Sequence, residues 1–231
     1  EEQPTELSTD DVATTTSVDD VSDDILLVVE SQSNETSYTG KNSSNNDTFF
    51  NNCVTVSTVK NENTWVRTVD FGTSNCALMN GNSVRGKIII TFTNNFNDKT
   101  RTINYTFANF YHNDRLVEGN RTVVKTILEN GHPQASISLD LKITNANGGV
   151  ITCKGNRVRE FVEGYETPFN FLDNVFSITG SWITTLPNGK VHDVSITSSL
   201  IFKMSCPRIV SGVISISQNE NNGTLDYGIG E

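Results

Sequence analysis

The sequence predicts an all-β fold: an antiparallel meander of long curved strands, forming a sandwich or half-barrel, behind a flexible N-terminal arm. Three observations lead there. From Val54 onward, apolar and polar residues alternate in runs rich in Val, Ile, Thr and aromatic residues, the period-two signature of strands. The pairs Asn147-Gly148 and Asn188-Gly189 separate such runs, and Asn-Gly supplies the positive φ angles of tight hairpins. Finally, one unit occurs twice: Cys53, a β-like run, T-V-D-F-G-T-S-N and Cys76, then Cys206, a β-like run and T-L-D-Y-G-I-G-E up to Glu231. Laying Asp70 on Asp226 and Gly72 on Gly228 puts the counterpart of Cys76 one residue beyond Glu231, so the second unit is expected to be cut short.

Taken in chain order, residues 1–49 read as an acidic tether. Residues 1–16 are acidic and Thr-rich, with too little apolar surface to offset the entropy of ordering. Within 17–32, Val18, Val21, Ile25, Val28 and Val29 recur at helical spacing, and Ser17 with Asp20 resembles a capping box, so a short helix is expected. The rival reading takes Ile25–Val29 as a strand. Residues 33–50 return to an Asn/Ser/Thr-rich linker. Residues 50–231 read as the β domain, with runs at 86–92, 102–107, 135–144, 150–162, 175–185, 190–196 and 209–217. Gly119, Gly180 and Gly212 each interrupt a run and are expected to mark bulges or bends rather than ligand contacts.

Charge is unevenly placed. The formal net charge is -10, but residues 1–40 hold eleven acids and no Lys or Arg, while the rest holds sixteen acids and seventeen bases. A nucleic-acid partner is not expected, because phosphate binding needs a clustered basic face. No run of apolar residues is long enough to span a bilayer as a helix. Four cysteines without a C-x-x-C or Cys/His cluster favour disulfides and an oxidising compartment. Cys53 and Cys76 bracket a hairpin and are expected to be bonded; Cys206 is left either as an orphan or as the partner of Cys153.

Catalytic motifs are missing, and no cofactor or metal is expected. His112, His132 and His192 lie far apart near turns and read as solvated loop residues. Asp70 and Asp226 could touch calcium, but each unit supplies too few oxygens, and Asp before an aromatic-Gly turn caps its own backbone. Phe107, Phe110 and Tyr111 read as a packed strand end. The connection after Val162 is long for a β hairpin. It carries Tyr165, Phe169, Phe171 and Leu172, stiffened by Pro168 and bent by Gly164. It is the candidate contact loop, and its bland alternative is a plug for the core. The acids in and just before it, Glu160, Glu163, Glu166 and Asp173, could supply a glycosidase-like pair such as Glu160 with Asp173, a less favoured hydrolase reading.

The strings T-V-D-F-G-T-S-N-C, R-G-K-I-I-I-T-F, F-A-N-F-Y-H-N-D-R-L-V-E-G-N-R-T-V, V-F-S-I-T-G-S and C-P-R-I-V-S-G-V-I-S-I resemble an uncharacterised family of secreted or outer-membrane lipoproteins of Bacteroidetes, typical of flavobacteria. The resemblance covers about residues 50–231. It implies export to the outer membrane or cell surface of a Gram-negative bacterium. It also implies a lipid anchor on a cysteine upstream of residue 1, with Glu1-Glu2 suited to the position after it. The leading expectation is a non-enzymatic binding or scaffold subunit, in an outer-membrane protein complex. The alternative is a glycan- or adhesin-type binding domain.

Overall fold

The computed structural model describes residues 7–33, 53–78, 80–93, 98–167, 170–206 and 208–230. It contains one long helix, α1 (Thr9–Gln32), and then strands. These are β1 (Thr55–Lys60), β2 (Thr64–Asp70), β3 (Cys76–Ala77), β4 (Ser83–Thr93), β5 (Thr100–His112), β6 (Arg115–Ile127), β7 (Pro133–Thr144), β8 (Val150–Glu163), β9 (Val175–Thr185), β10 (Val191–Lys203), β11 (Arg208–Gln218) and β12 (Asn221–Ile229). All belong to one antiparallel sheet. Eleven strands are neighbours in the order β1-β2-β4-β5-β6-β7-β8-β9-β10-β11-β12, β3 pairs only with β4, and the sheet is not closed into a barrel. The alternation thus builds strands that hydrogen bonding joins into one sheet. The only other helical element described is a 3-10 turn at Phe171–Asp173.

The helix differs from expectation at its start. It begins at Thr9, within the segment read as tether, because the S-x-x-D pattern also occurs earlier. Ser8 accepts from the Asp11 backbone N–H at 3.2 Å, and its carbonyl accepts the first helical bond from Val12. Asp10 and Asp11 then lie in the first turn, where the helix dipole favours negative charge. Ser17 does not cap; its hydroxyl donates to the Thr14 carbonyl at 2.8 Å. The hydroxyls of Thr14, Thr15 and Thr16 bond to carbonyls four residues back, which settles three consecutive β-branched residues inside a helix. Ile25–Val29 is helical, not a strand. The remainder of the expected tether, 1–6, and of the linker, 34–49, lies outside the described residues.

The chain forms two compact units. Unit one comprises Glu1–Val18, Val123–Leu139 and Thr152–Glu231; unit two comprises Asp19–Thr122 and Asp140–Ile151. In unit two, Val21, Ile25, Leu26, Val28 and Val29 of α1 are buried, as are Val69, Ile88, Ile90, Ile103 and Phe110 of its strands. Phe110 packs on Phe71 at 6.0 Å and stacks on Phe107 at 5.4 Å, which makes the expected packed strand end a fact. In unit one, Ile178, Trp182, Val194, Leu200, Ile214 and Ile216 are buried.

Local signals explain the hairpins. Asn147-Gly148 and Asn188-Gly189 join β7 to β8 and β9 to β10, and each Asn side chain accepts from the backbone N–H two residues on, at 3.0 Å. Asn80-Gly81 and Asn130-Gly131 build the same turn. In β10 the register with both neighbours shifts between Ser195 and Ile201. Gly212 faces this bulge: its φ is 111°, and a Cβ there would lie 2.5 Å from the Ser199 carbonyl oxygen. Bend rather than ligand is thus its role. Cys53 and Cys76 are disulfide-bonded with Cα atoms 5.9 Å apart, Cys153 is buried, and Cys206 is an exposed free thiol.

Candidate functional site

Unit one brings the long connection between β8 and β9 against the β6–β7 turn. The Asn130-Gly131 turn sets His132 just before β7: the His132 backbone N–H donates to Asn130 Oδ1 at 3.0 Å. Strand β8 carries Glu160 to the same place. His132 Nδ1 lies 2.6 Å from Glu160 Oε1, and Asn130 Nδ2 donates to that oxygen at 3.4 Å. In a neutral ring with Nδ1–H donating to the carboxylate, Nε2 would be left to accept from another donor. Both side chains are partly exposed, 24% and 29%.

The loop then adds apolar area. Tyr165 sits 4.9 Å from the His132 ring and edge-on to Phe161 at 6.0 Å. Phe161 stacks on Phe176 at 4.6 Å, and the Arg159 guanidinium lies 4.1 Å above Phe176. Gly164 (φ 84°) makes the bend, and a Cβ there would come within 2.7 Å of the Asp173 and Asn174 side chains. Asp173 Oδ2 accepts from Asn170 Nδ2 at 3.0 Å and lies 2.8 Å from the Thr167 hydroxyl. Leu172 is 51% exposed, whereas Tyr165 is half-buried. Phe169 lies outside the described residues, as does the side chain of Phe171.

The arrangement is a half-exposed aromatic ring beside a histidine oriented by a carboxylate, with an exposed leucine on the next turn. It can hold an apolar or ring-bearing group and offer it hydrogen bonds. The two acids of the hydrolase reading are each engaged locally, Glu160 by His132 and Asn130, Asp173 by Thr167 and Asn170. Sequence reasoning found the loop, Glu160 and Tyr165 but not His132 as their neighbour. The Asn130-Gly131 pair was the available signal, since it turns β6 back into β7 and so places His132 at the start of the returning strand.

The other histidines are not solvated. His112 is fully buried with Nε2 at 2.7 Å from Asp24 Oδ2 in unit two, and Asp24 also accepts from Asn80 and Asn82 at 2.6 and 2.8 Å. His192 is fully buried in unit one, between the Thr15 hydroxyl at 2.7 Å and Gln218 Oε1 at 3.1 Å. Both ring nitrogens of His192 are paired, as burial demands, whereas His112 Nδ1 is buried with no hydrogen-bond partner among the described residues. Buried Arg121 donates to Ser22 Oγ at 3.1 Å and to the Tyr105 hydroxyl at 3.3 Å, and Arg67 donates to the Gln32 carbonyl at 2.5 Å. Burial lowers the Arg67 pKa. Lys190 lies 2.6 Å from Asp11, and this hydrogen bond holds the Asp11 carboxyl below its usual pKa. Asp70 and Asp226 cap their own turns, accepting from the N–H of Gly72 at 2.9 Å and of Gly228 at 2.8 Å. Among the described residues no group of three His, Cys, Asp or Glu side chains could hold a metal ion. No family model, curated protein or solved structure matches the chain.

Proposed function

We propose that the protein is a non-enzymatic, lipid-anchored binding or scaffold subunit at the outer membrane or surface of a Gram-negative bacterium. Its contact site is the loop carrying Tyr165 and Leu172 together with His132 and Glu160. The observation that carries the reading is the loop itself. Its bend is fixed by Gly164 and Asp173, yet Leu172 stays 51% exposed and Tyr165 half-exposed. Rigid aromatic area of this kind supplies interface hot spots at low entropic cost. The Cys53–Cys76 disulfide supports export, because such bonds persist in oxidising compartments. The lipid anchor rests on the family resemblance.

The test is native co-purification from outer membranes after chemical cross-linking. A membrane protein is expected with the wild type and is lost from the double variant Tyr165→Ala, Leu172→Asp, whose melting temperature stays close to wild type. Isolation only as a free monomer would count against the reading. A second reading, glycan binding, is favoured by one observation, the Tyr165 ring beside the His132–Glu160 pair. A glycan array separates it: a hit that disappears in Glu160→Gln would move the assignment to a sugar ligand.

A further inference from the structure

The chain contains five Asn-Gly pairs, and four of them sit in hairpin turns of one build. In each of the four, the Asn side-chain oxygen accepts from the backbone N–H two residues on. Three of these side chains also use the amide nitrogen to hold an acid. Asn80 donates to Asp24 at 2.6 Å, Asn130 to Glu160 at 3.4 Å and Asn188 to Asp11 at 3.2 Å. Asn followed by Gly is the pair most prone to cyclise and lose that nitrogen as ammonia, because glycine has no side chain to hinder attack by its backbone nitrogen. The product is an acid. At these turns it would replace a donor that faces a carboxylate with a second carboxylate.

The Asn188 turn of unit one is the most open of the three and the one that grips the first turns of α1. Pro187, Asn188 and Gly189 are all exposed, and a Cβ on Gly189 would meet no atom within 4 Å. The Gly189 N–H donates to the Leu186 carbonyl at 2.9 Å, a bond that has to open before its nitrogen can attack. The Lys190 N–H lies 3.0 Å from Asn188 Oδ1, placed to stabilise the negative charge this oxygen takes on during attack. We propose that Asn188 is a deamidation site, and that the acid formed there frees the start of α1 from the β9–β10 turn. The Gly189 nitrogen, having given its proton to hydroxide, bonds to Cγ of Asn188. The Cγ–Nδ2 bond breaks, and ammonia leaves with a proton taken from water. The succinimide so formed takes up one water and opens to aspartate or isoaspartate. Before the reaction Asp11 is held twice, by Asn188 Nδ2 and by Lys190 Nζ at 2.6 Å. Afterwards a carboxylate oxygen stands in place of Nδ2, and Lys190 is shared between two acids. Isoaspartate also adds a methylene to the main chain two residues before Lys190. One helical turn further on, Thr15 seats against His192 at 2.7 Å, so loosening at Asp11 reaches that contact as well.

Ageing tests the chemistry, and a variant tests its consequence. The full chain is kept in mildly alkaline buffer for weeks, then mapped by mass spectrometry and labelled with isoaspartyl methyltransferase. Aspartate and isoaspartate are expected at position 188. Asn188→Asp keeps the oxygen that accepts from Lys190 and changes only the group facing Asp11. Its Val12–Thr16 amides should exchange with deuterium about threefold faster than those of the wild type, the scale of a lost, partly exposed ion pair, while circular dichroism stays that of the wild type. The aged wild type should show the same gain. Aged Asn188→Gln, whose longer side chain cyclises slowly, should show none beyond its unaged form. Asn147→Asp should show none either, because Asn147 makes the same turn but holds no acid among the described residues. The proposal is overturned if Asn188 stays intact in the folded chain while a peptide of the same sequence converts. It is equally overturned if Val12–Thr16 exchange no faster in Asn188→Asp than in the wild type, or if ageing loosens Asn188→Gln as much as the wild type. None of these readouts involves the Tyr165 loop, so failure of the loop reading and failure of this one are distinguishable.

Discussion

The hairpins at the two ends of the strand order, β1–β2 and β11–β12, are written with the same unit and share the same turn. Asp70 and Asp226 each accept from the glycine N–H two residues on, and Gly72 and Gly228 have φ of 77° and 85°. What surrounds the turns differs. In the first hairpin the unit ends an inner strand, and β2 pairs with β4 as well as β1. Phe71 is 2% exposed there, Lys87 lies 2.8 Å from Asp70, and the Cys53–Cys76 bond closes the loop. In the second hairpin the unit lies on the last strand. Tyr227 is half-buried, Ile229 is exposed, and Cys206 is a free thiol. The comparison teaches that a short motif specifies its local turn, while the strand beside it decides whether its aromatic becomes core.

The largest break in the symmetry should come from the aromatic position. Phe71→Ala removes a buried ring packed on Phe110 and should cost about 4 kcal/mol, whereas Tyr227→Ala should cost about 1 kcal/mol for a half-buried site. Urea unfolding monitored by circular dichroism measures both, and equal costs would mean that the two ends are supported alike. Next comes the crosslink. Replacing Cys53 and Cys76 by Ser should destabilise by about 3 kcal/mol on the chain-entropy account, and Cys206→Ser should leave the melting temperature unchanged.

The glycines should sharpen the likeness instead. A Cβ at Gly72 or Gly228 meets no atom within 4 Å, so strain in φ is the main cost. Alanine at either should therefore lose a similar amount, about 1 kcal/mol; a large inequality would show that the turns differ. The smallest effect concerns acid. The Lys87 hydrogen bond, and then the Gly72 N–H, hold the Asp70 carboxyl below its usual pKa. The stability this brings is present above the unfolded value near ~3.9 and is lost as pH falls through the lower folded value. For a partly exposed pair it amounts to less than about 1 kcal/mol. Asp70→Asn should flatten the stability profile across that acidic window, read from urea midpoints between about pH 5 and pH 2.

The strand pattern was legible because a sheet with one covered face writes its burial in every second residue, as in β7, where Ala135, Ile137, Leu139, Leu141 and Ile143 are buried and the residues between are exposed. The Asn-Gly turns and the first disulfide were legible because both are local in sequence. The first helical turns were not, since Thr14, Thr15 and Thr16 argue against helix by propensity and are accommodated only by bonds to their own backbone. The buried histidines were hidden for a different reason. His192 is satisfied by Thr15, 177 positions away, and His112 by Asp24, 88 positions away. No window of sequence contains both members of either pair. Tyr165 was nameable as a loop aromatic, but its neighbour His132 comes from another hairpin.

That same Thr15–His192 contact has a consequence in time. A ribosome makes the chain from its amino end, so Thr15 exists long before His192 and Gln218 do. The first half of α1 is Thr-rich and has weak intrinsic helicity. Its docking is therefore expected to wait, as the chain folds, until β10 and β11 are in place, a long-range closure of the kind that slows folding. Pulse-labelled hydrogen exchange during refolding should show the amides of Val12–Thr16 acquiring protection together with the last strands, after the β7–β8 and β9–β10 hairpins, and protection of that segment first would contradict this order.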